Sequence, residues 1–193
     1  NLFIFLEYLI LMKKIDNSEI QKLEVLYKSN KLDELESKIK KLLKIENNNI
    51  ILLNILGVVY LKKNFFRESE EIFIKILKKN SKDQNALKNL GETYRRLKKF
   101  SNAIKYYELY LKINPSDSEV INNLALSYLK NKKYEEAINH YRNLIKINPN
   151  DQEYLTNFAT TLIESLNFEE GMQLLEKLLD KNISNRRALS SYL

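Results

Sequence analysis

Apolar residues recur every three or four positions along most of this chain, in paired stretches separated by short polar breaks. In residues 86–97 they fall at Ala86, Leu87, Leu90, Tyr94 and Leu97, on one face of a helix. After a break the spacing returns with Phe100, Ala103, Ile104, Tyr107 and Leu111. Asn114-Pro115 then closes the pattern, because proline has no amide proton and disfavours a helical residue before it. Ser116, Asp117, Ser118 and Glu119 follow as N-cap candidates for the next helix. The pattern predicts helix, turn, helix, stop, and then the same again.

The repetition has a fixed period. Lys-Ile-Asn-Pro occurs at residues 112–115 and again at 146–149, an offset of 34 residues. Cutting the chain at that interval gives repeats at 50–83, 84–117, 118–151 and 152–185, preceded by a degenerate one at about 16–49. The columns agree in residue type. The eighth position holds a small residue (Gly57, Gly91, Ala125, Ala159), and the twentieth holds Ser69, Ala103, Ala137 and Gly171. Small residues in both columns let two helices approach closely. The seventh column reads Leu56, Leu90, Leu124, Phe158; the eleventh reads Tyr60, Tyr94, Tyr128, Leu162. The seventeenth reads Phe66, Phe100, Tyr134, Phe168, and the twenty-fourth Phe73, Tyr107, Tyr141, Leu175. The tyrosine stripe Tyr94, Tyr107, Tyr128 and Tyr141 is expected in the core.

In period, register and residue type these stretches resemble the tetratricopeptide repeat family. That resemblance implies an all-α fold: a right-handed α-solenoid of about five stacked helix-turn-helix units. Two departures stand out. The family's proline near the repeat end is Pro115 and Pro149, but Ser81 and Ile183 in the outer repeats. Its aromatic at the fourth position is replaced by Leu53, Leu87, Ile121 and Leu155. The first repeat keeps a second-helix stripe of Leu32, Leu35, Ile39, Leu42 and Leu43, but its first helix lacks the small packing residue.

The resemblance also implies where a ligand sits, in a concave groove lined by the first helix of each repeat. At the sixth position the chain has Ile55, Asn89, Asn123 and Asn157. Three asparagines at a 34-residue spacing look like the asparagine ladder of the O-linked N-acetylglucosamine transferase repeats. An asparagine amide donates and accepts at once, so it can grip an extended peptide backbone. The neighbouring groove candidates are Asn85, Lys88, Glu92, Arg95 and Arg96, then Asn122, Leu126 and Lys130, then Thr156 and Thr160. Lys88, Arg95 and Arg96 are the most basic portion and suit a carboxylate. Ile55 and Val58 make the early part of the groove apolar.

Composition narrows the chemistry. The 193 residues include no cysteine, three glycines, two prolines and one histidine. There is no thiolate metal site, and all three glycines are committed to helix packing, which leaves none for a phosphate-cradling loop. His140 is expected at the surface of a second helix and not as a base. No catalytic residue, cofactor or metal is expected, and the chain is not expected to be an enzyme. The net charge of +7 concentrates in part at Lys62-Lys63, Lys98-Lys99 and Lys132-Lys133, each pair at the turn between two helices. Stacked repeats would align them as a basic edge for an acidic partner, or they are solvated turn lysines; no nucleic-acid motif accompanies them, and nucleic acid is not expected.

The ends leave alternatives open. Residues 1–12, within an apolar N-terminal segment 1–15, are too few to span a bilayer and have no basic residue ahead of them. Either Met12 is the true start, or the segment is the tail of a membrane helix flanked by Lys13-Lys14, or it packs on the first repeat. A membrane partner follows only from the second case. The solenoid runs over 16–193, and residues 186–193 begin a helix that stops after two turns, so a continuation is expected. The expected function is a protein-interaction scaffold, bacterial and cytoplasmic, that holds an extended peptide or protein segment without catalysis. The alternative is the substrate-recruiting N-terminal module of a larger transferase, glycosyl- or sulfotransferase-like, on the faint resemblance of Leu189-Ser190-Ser191-Tyr192-Leu193 to such junctions. The oligomeric state is left open.

Overall fold

The computed structural model describes residues 17–181, which form ten helices and no strand. The N-terminal apolar segment, Ile183 and residues 186–193 lie outside the described residues. The helices are α1 (Asn17–Lys28), α2 (Leu32–Ile45), α3 (Ile50–Lys62), α4 (Phe66–Lys79), α5 (Gln84–Arg96), α6 (Phe100–Leu111), α7 (Ser118–Lys130), α8 (Tyr134–Ile147), α9 (Gln152–Glu164) and α10 (Phe168–Lys181). They fall into two compact units, one ending at Thr93 and the other beginning at Tyr94.

Helix starts are set by one side chain per repeat. Asn49 Oδ1 accepts from the amides of Ile51 and Leu52 at 3.0 and 3.1 Å. Asp83 caps α5 through Ala86 (2.9 Å), Asp117 caps α7 through Val120 (3.2 Å), and Asp151 caps α9 through Tyr154 (3.0 Å). Each satisfies a first-turn amide that has no partner within its helix, and an acidic cap also suits the helix dipole. α2, α4, α6 and α8 have no such side-chain cap. They start directly out of the preceding turn.

That turn has the same geometry five times. Asn30, Asn64, Lys98, Lys132 and Leu166 all have positive φ, between 55 and 68°. At each, the following amide reaches back across the turn, as Lys99 N does to Tyr94 O and Lys133 N to Tyr128 O, both at 2.9 Å. The left-handed residue's own amide bonds the carbonyl three residues earlier. This is the paired closure that ends a helix with a left-handed residue. No glycine occupies any of the five positions.

In the first unit α1 packs on α2, α2 on α3, and α3 on α4. Leu23, Leu35, Ile39, Leu52, Ile55, Leu56 and Val59 are buried together there in an aliphatic cluster. α3 enters α4 through Gly57. A Cβ there would lie 2.6 Å from the tip of the Phe73 ring, so only glycine fits. The Ser69 hydroxyl bonds the Gly57 carbonyl at 3.0 Å in the same contact. In the second unit each helix from α6 to α10 packs on its chain neighbours, and α7 also meets α9. Tyr107 and Tyr141 are completely buried, and Tyr94 and Tyr128 nearly so, in line with their core columns. Burying a side chain of that size contributes about 1.5–3 kcal/mol.

Candidate functional site

The candidate surface is the exposed side of the first helix in each repeat, and the two units build it differently. In the second unit α7 and α9 lie against each other, and the polar residues between them satisfy one another. Asn157 Nδ2 donates to Asn122 Oδ1 at 3.2 Å, and Asn122 Nδ2 donates to Glu153 Oε1 at 3.1 Å. Lys130 meets Glu164 at 3.3 Å. Thr156 turns its hydroxyl onto the Gln152 carbonyl, and Thr160 does the same with Thr156. Asn157, Asn122 and Thr156 are 3, 5 and 2% exposed. These three were expected to face a ligand; the structure puts them in the seam between repeats. A helical face predicted by spacing includes its own edge, and that edge is buried when the next helix arrives.

Asn123 stands differently. It is half-buried, and no hydrogen bond reaches its side-chain amide among the described residues. Leu126 beside it is half-buried, and Lys130 is exposed. Arg95 is half-buried and Arg96 exposed.

In the first unit, Asn89 is half-buried like Asn123, with Asn85 exposed and Lys88 and Glu92 half-buried on the same helix. Its backbone carbonyl accepts the Thr93 hydroxyl at 2.7 Å, and among the described residues no hydrogen bond reaches its amide side chain. Asn54 in α3 is 7% exposed, and its Nδ2 donates to Asp83 Oδ1 at 3.3 Å. Its Oδ1 is buried with no hydrogen-bond partner. Sequence reasoning missed this residue because Ile55 and Val58 mark α3 as apolar. The available signal was its column: Asn54 and Asn122 both occupy the fifth position. Buried oxygens without a donor are rare and costly.

The lysine pairs at the turns are engaged locally. Lys63 lies 2.6 Å from both Asp33 and Glu36, and those hydrogen bonds push its pKa up to about 12. Lys62 sits 3.9 Å over the Tyr27 ring. Lys99 and Lys133 lie over Tyr94 and Tyr128 at 5.5 and 5.9 Å. Lys98 and Lys132 are left-handed turn residues.

His140 is not the surface residue expected. It is half-buried and stacks on Tyr128, with ring centroids 5.5 Å apart. One repeat earlier Tyr106 stacks on Tyr94 at the same distance. His140 thus takes the place of an aromatic packing residue. Desolvation lowers its pKa, against a smaller opposing pull from Glu108, and Glu108 also accepts the Tyr128 hydroxyl. Among the described residues no cluster of histidine and carboxylate side chains is arranged to hold a metal ion, and no helix is long and apolar enough to cross a membrane.

Two family models match the chain. One, described as tetratricopeptide repeat, covers residues 56–118; the other, described as anaphase-promoting complex, cyclosome, subunit 3, covers residues 96–178. No curated protein matches it. Among solved structures, a tetratricopeptide repeat protein from Parabacteroides merdae superposes with a TM-score of 0.81 at 19% identity, over 90% of this chain and 69% of that one. YrrB, described as a tetratricopeptide protein with an unusual peptide-binding site, has a TM-score of 0.80 at 19% identity over 97% of both chains. MamA from Desulfovibrio magneticus has a TM-score of 0.80 at 16% identity, over 86% of this chain and 94% of its own. The shared fold is the all-α tetratricopeptide solenoid.

Proposed function

We propose that this chain, which belongs to the tetratricopeptide-repeat family, binds an extended peptide segment along the exposed faces of its first helices and performs no chemistry of its own. The fold is that of protein-interaction scaffolds in general. The observation that carries the finer reading is the contrast among the asparagines. Asn122 and Asn157 are bonded to each other in the seam, whereas no hydrogen bond among the described residues reaches the half-buried side-chain amides of Asn89 and Asn123. A peptide backbone supplies an N–H and a C=O at each residue, so it can satisfy these groups without a particular side-chain sequence. The peptide-binding site in the description of YrrB supports the same class of ligand. A cytoplasmic location belongs to this reading. No observation favours the transferase-recruiting alternative.

The test uses a peptide selected from a display library on the whole chain, with affinity measured by calorimetry. Asn89→Ala and Asn123→Ala should each weaken binding by about 1–3 kcal/mol while leaving helicity unchanged. If affinity survives replacement of Asn89 and Asn123 together, the asparagines do not hold the ligand.

A further inference from the structure

An open groove of about 1090 Å³ lies across α1 and α2, with Leu26 and Leu42 in its wall and Val25 63% exposed beside them. The same columns are filled elsewhere. In the first unit, α2 packs against Leu56, Tyr60 and Ile72 of α3 and α4. In the second, α8 packs against Phe158, Leu162 and Leu174 of α9 and α10. One period before Leu56, Tyr60 and Ile72 stand Lys22, Leu26 and Lys38, and all three line the groove. It is the seat that a preceding second helix takes in the later repeats.

We infer that this groove is the docking site of residues 2–12 of the same chain. The argument is one of register. Counting in steps of 34 residues, Phe5 falls in the column of Ile39, Phe73, Tyr107, Tyr141 and Leu175, all 0% exposed. Tyr8 falls in the column of Leu42, Ile76, Tyr110, Leu144 and Leu178, and Leu9 in that of Leu43, Leu77, Leu111, Ile145 and Leu179. Every one of these is apolar and at least half-buried. Glu7, the one charge among residues 1–12, falls in the column of Lys41, Lys75, Leu109, Asn143 and Lys177, of which all but the half-buried Leu109 are exposed. The segment thus places apolar residues in the three buried second-helix columns and ends four residues before α1 begins, although Phe3, Leu6 and Ile10 fall in columns that are mostly exposed and polar. Lys22 and Lys38 are compatible with such an occupant. Both pair with Glu19, at 3.4 and 3.0 Å, which holds their charges at the rim and leaves aliphatic stems toward the groove.

The test exploits the absence of cysteine from the chain. Tyr141 and Phe158 meet with ring centroids 6.3 Å apart, and four periods earlier the same pair is Phe5 and Lys22. The double variant Phe5→Cys/Lys22→Cys should close an intramolecular link with a short bismaleimide. It should do so about tenfold or more faster than Glu7→Cys/Lys22→Cys, because docking raises the effective concentration of one thiol at the other. A chain starting at Met12 should in parallel show faster amide exchange in α1. Equal slow linking in the two variants together with unchanged exchange overturns the proposal. Linked dimers assign the groove to a second copy, and binding of unlinked chain to lipid vesicles assigns the segment to a membrane; either result overturns it.

Discussion

The two units carry asparagines in the same fifth and sixth columns, and among the described residues only the second bonds two of them, Asn122 and Asn157, to each other, while its Asn123 stays open like Asn89 of the first. In the second unit Asn157 reaches back to Asn122, and the pair is buried as part of the joint between α7 and α9. In the first unit the same columns hold Asn54 and Asn89, and neither the Asn54 oxygen nor the Asn89 amide finds such a partner. One residue type in one column is mortar in one place and an open hydrogen-bonding group in the other. Column membership in a repeat protein therefore assigns a residue to a face but not to a role. Whether the neighbouring helix satisfies the group decides the role.

Deleting each asparagine in turn breaks this comparison most strongly. Asn157→Ala leaves Asn122 Oδ1 buried without a donor, so the second unit should lose about 1–3 kcal/mol, measured by urea denaturation. Asn54→Leu removes an oxygen that has no partner, although it also gives up the bond to Asp83. Replacing an unsatisfied amide by an apolar group of similar size should be close to neutral or stabilising. Equal losses in the two variants would mean that both asparagines are structural in the same sense.

The packing columns differ between the units as well. Gly57 has no room for a Cβ against Phe73, while Ala159 occupies the same column over Leu175 in the last repeat. Gly57→Ala should cost about 1–3 kcal/mol through overpacking. Adding Phe73→Leu, which copies the pairing of the last repeat, should recover part of that loss, although Phe73→Leu alone destabilises. A double-mutant cycle with no coupling between the two sites would show that the clash relaxes by some other route.

Much of the fold was legible because its determinants are local and periodic. The caps Asn49, Asp83, Asp117 and Asp151, the small residues of the helix contacts and the tyrosine columns all recur at the repeat interval, and each acts on its own turn or its nearest neighbour. The candidate site was legible only as a set of faces. Spacing assigned Asn122, Thr156 and Asn157 to a ligand-facing side, and the structure buries them between α7 and α9. Their depth depends on how closely α9 approaches α7, and no single helix encodes that. The left-handed turn residues were hidden for a different reason. The usual signal is glycine, and Asn30, Asn64, Lys98, Lys132 and Leu166 carry none of it.

That last set permits a smaller comparison across the repeats. A left-handed conformation costs a branched or bulky residue about 1–2 kcal/mol, whereas asparagine visits it readily. Leu166 has φ of 68° with its side chain 74% exposed, so it has little packing to offset the strain. Leu166→Gly should stabilise the second unit by about 0.5–1 kcal/mol, and Asn64→Gly should change the first by a few tenths at most. Thermal denaturation of the two variants separates these outcomes. A loss on Leu166→Gly would show that its exposed side chain makes a contact worth more than the strain.

The smallest expected effect concerns the stacked pairs, Tyr94 with Tyr106 and Tyr128 with His140. Only the second pair can titrate near neutral pH. Burial lowers the His140 pKa in the folded chain below its ordinary value of 6.5, and Glu108 opposes this only in part. A lowered folded pKa means that the unfolded chain takes up the proton first as pH falls. The stability from the neutral, stacked ring is therefore complete above about pH 6.5 and is lost as the pH drops toward the folded value. His140→Tyr copies the pair one repeat earlier and carries no group that titrates there. It should flatten the acid limb of the stability curve between neutral pH and about pH 5 without moving the plateau by more than a few tenths of a kcal/mol. The other groups near this stack are Glu108, Glu136 and the Lys133 ammonium over Tyr128, and Glu108 and Lys133 keep their partners in the variant. An acid limb that keeps its slope in His140→Tyr would place the sensitivity on those carboxylates and not on the histidine.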